Sequence, residues 1–135
     1  MKKVPVFTCI LIVAFSFINC KKDSTDTTPV DVAGNIDITT PVMGTIYDNG
    51  IVLKTEGGMS DNNGLASAKV EIRNKTTGTI LFQQTTSTGN VTLYHFLWNW
   101  TVTGMTSLIT ATVKVTAIDK LSNQIIKEVD ITLTN

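Results

Sequence analysis

Apolar and polar side chains alternate strictly along residues 109–117, and this alternation constrains the fold more than any other feature. Apolar residues stand at the odd positions, from Ile109 to Ala117, and threonine or lysine stands between them. Successive side chains of a β-strand point to opposite sides, so this period of two predicts a long strand with one buried and one hydrated face. Residues 68–73 alternate in the same way, with alanine, valine and isoleucine against lysine, glutamate and arginine.

Five further runs have the composition of β-strands, and turn signals separate the runs from one another. The runs cover residues 36–40, 50–56, 79–86, 91–101 and 124–134. Clusters of Asp, Asn, Gly, Thr and Ser lie at residues 48–50, 61–64, 75–78, 88–90 and 122–123. Residues 35–135 contain no ten-residue segment with an apolar stripe at helical spacing. Seven strands in about a hundred residues, without a cysteine pair, predict an all-β domain folded as an immunoglobulin-like sandwich of the fibronectin- or cadherin-like kind.

Three phrases of the sequence resemble motifs that recur in bacterial immunoglobulin-like modules. They are residues 40–45 followed by Asn49-Gly50, residues 60–67, and Ala117-Ile118-Asp119 with Asn123. In their order and spacing, and together with its N-terminal segment, the chain resembles a family of small Bacteroidetes lipoproteins with one immunoglobulin-like domain. The resemblance implies this fold but no particular activity. Leu121-Ser122 stands where glycine is usual before Asn123, so the last turn is expected to be longer or differently shaped.

The N-terminus has the layout of a secretory signal. Two lysines precede an apolar run over residues 4–18, which is too short to span a bilayer comfortably. The run ends at Phe17-Ile18-Asn19-Cys20, which resembles the lipobox of bacterial lipoproteins. That resemblance implies a signal peptide over residues 1–19 and a diacylglyceryl thioether on Cys20. The alternative is an ordinary signal peptide with a cysteine by chance, although the run lacks a small-x-small cleavage site.

Loss of such a signal would settle the cysteine chemistry. Cys9 would be removed with it and the thiol of Cys20 consumed, so no disulfide, thiolate nucleophile or cysteine-ligated metal would remain. Two or three acyl chains make anchoring effectively permanent. The prediction is a monomer tethered to a membrane, and specifically to the outer membrane.

Residues 20–34 are predicted to hold the lipidated cysteine and a flexible polar linker. The segment is rich in Thr and Asp, and its residues 21–33 extend at most roughly 45 Å. Cys20-Lys21-Lys22-Asp23 partly matches a surface-export signal of Bacteroidetes lipoproteins, which would place the domain outside the cell. The residues around Ser24 and Thr27 resemble that phylum's O-glycosylation pattern. A bare polar linker is the alternative for both.

Charge argues against nucleic acid as a partner. The chain has eleven basic and eleven acidic residues, and loss of Lys2 and Lys3 leaves a net charge of about −2. No basic stripe is present that could follow a phosphate backbone.

Asp61, Asn63 and Asp119 are the candidate metal ligands. The predicted topology brings them to one pole of the sandwich, and Ca²⁺ prefers oxygen ligands of this kind. The alternative is that these side chains cap backbone N–H groups in turns. No calcium-binding loop motif is present, so the turn-cap interpretation is the stronger one and no cofactor is predicted.

The sequence also argues against catalysis. His95 is the only histidine and stands in mid-strand, with Leu93 and Leu97 on its own side. No nucleophile elbow, zinc-binding helix or phosphate loop is present. The chain is therefore predicted not to be an enzyme.

Residues 91–101 are apolar on both sides, which breaks the rule for a half-exposed strand. Tyr94, Phe96, Trp98 and Trp100 share one side, and the other side carries leucines. One interpretation is that the aromatic residues are core, that a bulge near Asn99 shifts the register, and that long neighbouring side chains shield the leucines. The other is that Trp98, Trp100 and Tyr94 form a platform for a sugar ring or a partner protein.

The predicted function is therefore binding. The leading hypothesis is a lipid-anchored envelope module that acts by protein interaction or adhesion. The second is a small carbohydrate- or calcium-binding lipoprotein, with Trp98 or Trp100 carrying the sugar and Asp61 the metal.

Overall fold

The structure, a computed structural model, describes residues 33–135, and within this range six β-strands and no helix are present. The predicted signal peptide, Cys20, Ser24 and Thr27 lie outside the described residues. Nothing within residues 33–135 is a helix long and apolar enough to cross a membrane. The strands are β1 (Asn35–Thr40), β2 (Ile46–Asp48), β3 (Val52–Asn74), β4 (Ile80–Thr101), β5 (Ile109–Asp119) and β6 (Gln124–Thr134).

The long strands β3 and β4 each contribute to both layers of a sandwich. The first half of β3 pairs with β1 and with the second half of β4. The second half of β3 pairs with β5 and with the first half of β4, and β5 continues to β6 and β2. We call the layer of β1, residues 52–60 and residues 93–101 the β1 layer, and the other the β5 layer. The predicted all-β immunoglobulin-like fold is confirmed.

The strand boundaries differ from the sequence-based ones at two bends. Residues 61–64 and 88–90 were predicted as turns, but they lie inside β3 and β4, where only the pairing between these strands is interrupted. The chain passes from one layer to the other there, through left-handed backbone at Gly64, Gly89 and Asn90. Glycine and asparagine tolerate this conformation, so the turn signals mark bends within continuous strands. The short strand β2, parallel to β6, was not predicted.

The core lies between the two layers and takes its residues from both. The predicted alternation in β5 is confirmed, because Ala111, Val113, Val115 and Ala117 are all buried. The same holds for residues 68, 70 and 72 of β3. Across the core, the β1 layer contributes Ile36, Leu53, Met59, Phe96 and Trp98.

Candidate functional site

The aromatic side of β4 faces the core. Trp98 is 4% exposed, and its ring stacks on that of Phe96 with the centroids 4.9 Å apart. The indole N–H is directed at the Thr86 hydroxyl, 3.4 Å away. Trp98 is therefore a core residue, the first of the two interpretations, and its ring is not available as an exposed platform.

Trp100 and Tyr94 lie at the margin of the core and are both partly buried. The Trp100 ring stacks on Phe82, which comes from the first half of β4, with a centroid distance of 6.0 Å and an interplanar angle of 17°. The two halves of β4 thus meet along one side of the sandwich. Of the three predicted platform residues, Trp100 and Tyr94 keep some accessible surface.

The outward side of β4 carries large apolar side chains that are exposed to solvent. Leu93 is 60% exposed and Leu97 is 55% exposed, and His95 is exposed between them. We call these three residues the leucine patch. The register of β4 with β3 is regular from Val52 to Ser60, so the predicted bulge near Asn99 is absent. The predicted shielding of the leucines is also wrong.

Small residues on the neighbouring strand explain why Leu93 and His95 stay exposed, whereas Leu97 stands opposite Glu56. Gly58 stands opposite His95, and Ser60 stands opposite Leu93. A methyl group added at Gly58 would touch only the His95 ring, at 3.6 Å, so the ring lies over bare backbone. A shallow depression of about 180 Å³ opens beside Leu93, lined also by Asn35 and Asp37. Leu93 thus borders a surface recess.

The second half of β4 is also an open edge of the β1 layer. Among the described strands, β4 pairs only with β3, so the other side of its backbone carries unpaired groups. No charged residue and no proline occurs anywhere in β4. Natural sheets usually protect an edge with charges, proline or shortness. The charges on the outward face of the β1 layer include those of Lys54 and Glu56 on the neighbouring strand β3, which form an ion pair at 2.6 Å. The outward face of the β5 layer carries more of them, at Lys69, Glu71, Arg73, Lys114 and Glu128.

The predicted metal ligands do lie together, at the pole where the described chain begins. The Asp119 carboxylate is almost fully buried and accepts the backbone N–H groups of Leu121 and Asn123 at 2.8 and 2.7 Å. It also accepts the side-chain amide of Asn123 at 2.8 Å and a hydrogen bond from the Asn63 side chain. Asp61 accepts the backbone N–H of Asn63 at 2.8 Å. These bonds are those of turn caps.

The last turn, before Asn123, is built without glycine. Ser122 adopts a left-handed conformation, with φ of 69°, in place of the glycine that the resemblance predicts there. Asp119 accepts hydrogen bonds from both sides of this residue. The carboxylate therefore holds a backbone conformation that serine adopts reluctantly.

The titration of Asp119 should be visible in the stability of the protein. Burial by itself would raise the pKa of its carboxyl, but the hydrogen bonds from Asn123, Leu121 and Asn63 together lower the pKa below the usual 3.8. A carboxyl group whose pKa is lower in the folded than in the unfolded protein stabilises the fold at pH values above the unfolded pKa. This stabilisation is lost as the pH falls through the folded pKa. We expect Asp119→Asn to be less stable than the wild type near pH 7, with the difference shrinking below about pH 4.

Chemical denaturation at several pH values would measure this effect. The pKa of Asp130 is also lowered, by hydrogen bonds from Lys75 and Thr112, so a residual pH dependence should persist in Asp119→Asn. A difference between the two proteins that stays constant down to acidic pH would contradict the assignment.

Calcium is expected to leave the melting temperature unchanged. Asp61 and Asp119 line the same depression of about 240 Å³, beside Gly34 and Asn123. However, the Asp119 oxygens already accept hydrogen bonds from the turn, and Ca²⁺ needs six to eight oxygen ligands. Residues 33–135 contain no group of three or more His, Cys, Asp or Glu side chains that could hold a metal. Thermal melts with calcium and with a chelator test this, and a calcium-dependent rise abolished by Asp61→Ala would assign a metal site instead.

The opposite pole holds a further depression of about 280 Å³. It lies between the turn after β3 and the loop before β5, and threonine, serine and asparagine form much of its lining. The Asn49 side chain ties this loop down, donating to the Met105 carbonyl at 2.7 Å and accepting the Met105 N–H at 3.1 Å. None of the predicted site residues lies there.

Comparison with known proteins supports the fold and does not extend to a family. No protein-family model matches the sequence, and no curated protein matches it. The chain is similar to the fibronectin(III)-like modules of Clostridium thermocellum CbhA, with a TM-score of 0.53 and 14% identity over 76% of this chain. It spans 47% of the length of that structure. These findings define an immunoglobulin- or fibronectin-III-like β-sandwich.

Two further structures have lower similarity scores. The CARDB domain of the Pyrococcus furiosus protein PF1109, solved in complex with di-metal ions, gives a TM-score of 0.48 at 16% identity, over 78% of this chain and 90% of that one. Murine CRIg gives a TM-score of 0.44 at 12% identity, over 76% and 98%.

Proposed function

We propose that this protein is a lipid-anchored module of the cell envelope that acts by protein interaction or adhesion and has no catalytic activity. The observation that carries the proposal is the leucine patch beside the open edge of β4. Two exposed leucines, a recess beside Leu93 and a strand edge without charges occur together on one face. Several exposed apolar residues on one face often mark a site of interaction, whereas single exposed apolar residues need no explanation.

Tethering is consistent with the position of this face. Ala33 and Gly34, where the described chain begins, line depressions at the pole of Asp61 and Asp119. A linker of up to roughly 45 Å from Cys20 would enter the domain at this pole and leave the sheet faces free. We propose attachment to the outer membrane, with exposure at the cell surface where the lysine-rich start of the linker acts as an export signal.

A matched pair of variants tests the interaction in native envelopes. A C-terminally tagged lipoprotein would be cross-linked, solubilised and purified, beside Leu93→Ser/Leu97→Ser. The control is Leu108→Ser/Leu121→Ser, which removes two leucines that are 68% and 62% exposed elsewhere on the surface. We expect a partner that the control retains and the patch variant loses. If both variants retain the same partners, the leucine patch is not the site.

Carbohydrate binding is the second candidate, and the accessible part of Trp100 favours it. The ring is partly exposed and lies parallel to Phe82, so a sugar would meet an aromatic surface at the side of the sandwich. Binding of soluble polysaccharides that Trp100→Ala abolishes would support this function. Trp98 is unsuitable for such a test because its loss would damage the core.

A further inference from the structure

We propose that the open edge of β4 pairs with the same strand of a second copy of this chain, forming an antiparallel dimer with His95 at its two-fold axis. The inference rests on the proposed interaction function and names the partner of the leucine patch. The proposed oligomeric state is a dimer, in place of the monomer predicted from the sequence.

The second half of β4 is the best pairing edge among the described strands. Residues 91–101 form an edge of eleven residues with neither charge nor proline. The other edge of the same layer, β1, has six residues, includes Asp37 and ends before Pro41. The β5 layer ends in β2, which has only three residues, and in the first half of β4, which is also uncharged but carries a polar run over residues 83–88. Only β4 combines length with the absence of the usual protection.

The side-chain pattern of this edge is self-complementary about His95. In an antiparallel pair centred on that residue, Leu93 stands opposite Leu97 of the second copy, and the reverse pair forms on the other side of the axis. On the inward side, Tyr94 stands opposite Phe96 of the second copy. Directly opposed apolar and aromatic side chains stabilise a sheet. The pairing therefore brings each exposed leucine into side-by-side contact with a leucine of the second copy.

Charge favours a second copy over an unrelated peptide. About this axis His95 stands opposite itself and the other residues pair at equal distances on either side, so like charges at such matching positions would face and repel one another. β4 has no charged residue to cause such repulsion, and it also has none that would select a partner of opposite charge. An uncharged edge whose residues 93–97 are palindromic in character fits an identical strand.

The proposed membrane anchor is compatible with this arrangement. Antiparallel pairing places the two tethered poles at opposite ends of the shared sheet, roughly 35 Å apart for a strand of this length. Linkers that extend up to roughly 45 Å allow both copies to reach one membrane. Confinement to a surface also raises the effective concentration of each copy for the other.

Site-directed disulfide cross-linking of the full-length lipoprotein in its own membrane tests the pairing. His95→Cys places a thiol at the axis, and the side chain is exposed, so the substitution leaves the fold intact. Under mild oxidation we expect most of this variant to run as a covalent dimer. Leu93→Cys alone should stay monomeric, whereas cells that also express Leu97→Cys should form the mixed dimer. The parent protein and Lys114→Cys, on the outward face of the β5 layer, are the controls.

Two charge variants complete the test. Adding Leu93→Lys/Leu97→Lys to His95→Cys should abolish the cross-link, and adding Leu108→Lys/Leu121→Lys should not. If His95→Cys gives no more dimer than Lys114→Cys, the self-pairing is overturned. The proposed interaction function survives that result when the leucine patch still retrieves a different protein from envelopes, and it fails when neither experiment depends on the patch.

Discussion

Replacing Trp98 by alanine is expected to lower the free energy of unfolding by about 3–5 kcal/mol. The indole lies in the core, stacked on Phe96 and directed at Thr86, so its removal leaves a large cavity between the layers. Domains of this size are commonly stable by only about 5–15 kcal/mol. The variant should therefore unfold at much lower denaturant concentration than the parent, which circular dichroism or tryptophan fluorescence would record.

The neighbouring Leu97→Ala is the matched control. Its side chain is more than half exposed on the opposite side of the same strand. We expect a change within about 0.5 kcal/mol, as for other surface substitutions. Equal losses for the two variants would mean that both sides of β4 are covered, and a larger loss for Leu97→Ala than for Trp98→Ala would reverse the assigned orientation of β4.

Gly57→Ala is expected to destabilise the protein by about 1–3 kcal/mol, since it overpacks a filled position. A methyl group there would collide with the Asp37 carbonyl of β1 and would lie 2.7 Å from the Phe96 ring. The carbonyl belongs to the backbone of a paired strand and cannot move aside without disturbing the contact between β1 and β3. Equilibrium denaturation measures this loss.

The adjacent Gly58→Ala separates this steric effect from the general cost of replacing glycine. Its methyl group would make only ordinary contact with the His95 ring, at 3.6 and 3.8 Å. We expect no loss of stability, and a gain of about 0.4–1 kcal/mol if the reduced entropy of the unfolded chain dominates. Similar losses for both glycines would contradict the close approach of β1 at Gly57.

Strand β4 shows why the sequence could not identify the exposed surface. Both sides of its second half, residues 91–101, are apolar, so a period of two places the aromatics opposite the leucines without saying which side is buried. The register with β3 determines which side is buried. Phe96 stands opposite Gly57, and Trp98 stands opposite Thr55, so small inward residues make room for large rings. This match of small side chains on one strand with large side chains on the next is not visible in the sequence of either strand alone.

The sequence predicted that Asp61, Asn63 and Asp119 lie at one pole of the sandwich, but it left their role open. The topology correctly brings Asp61, Asn63 and Asp119 together, because the bends and turns that carry them lie at one pole. Carboxylate oxygens serve equally well as calcium ligands and as caps for backbone N–H groups. Only the hydrogen bonds of Asp119 with the turn show which backbone groups it satisfies.

Local alternation by itself determined the all-β class and the buried side of β5 and of residues 68–72. In those segments only one side is apolar, and the pleat of a strand leaves a single way to bury it. The tertiary structure decided the exchange of partners by β3 and β4, the orientation of β4 and the position of the open edge. Each of these depends on which strands lie side by side, and strand pairing joins residues far apart in the chain, beyond the reach of a pattern of neighbouring side chains.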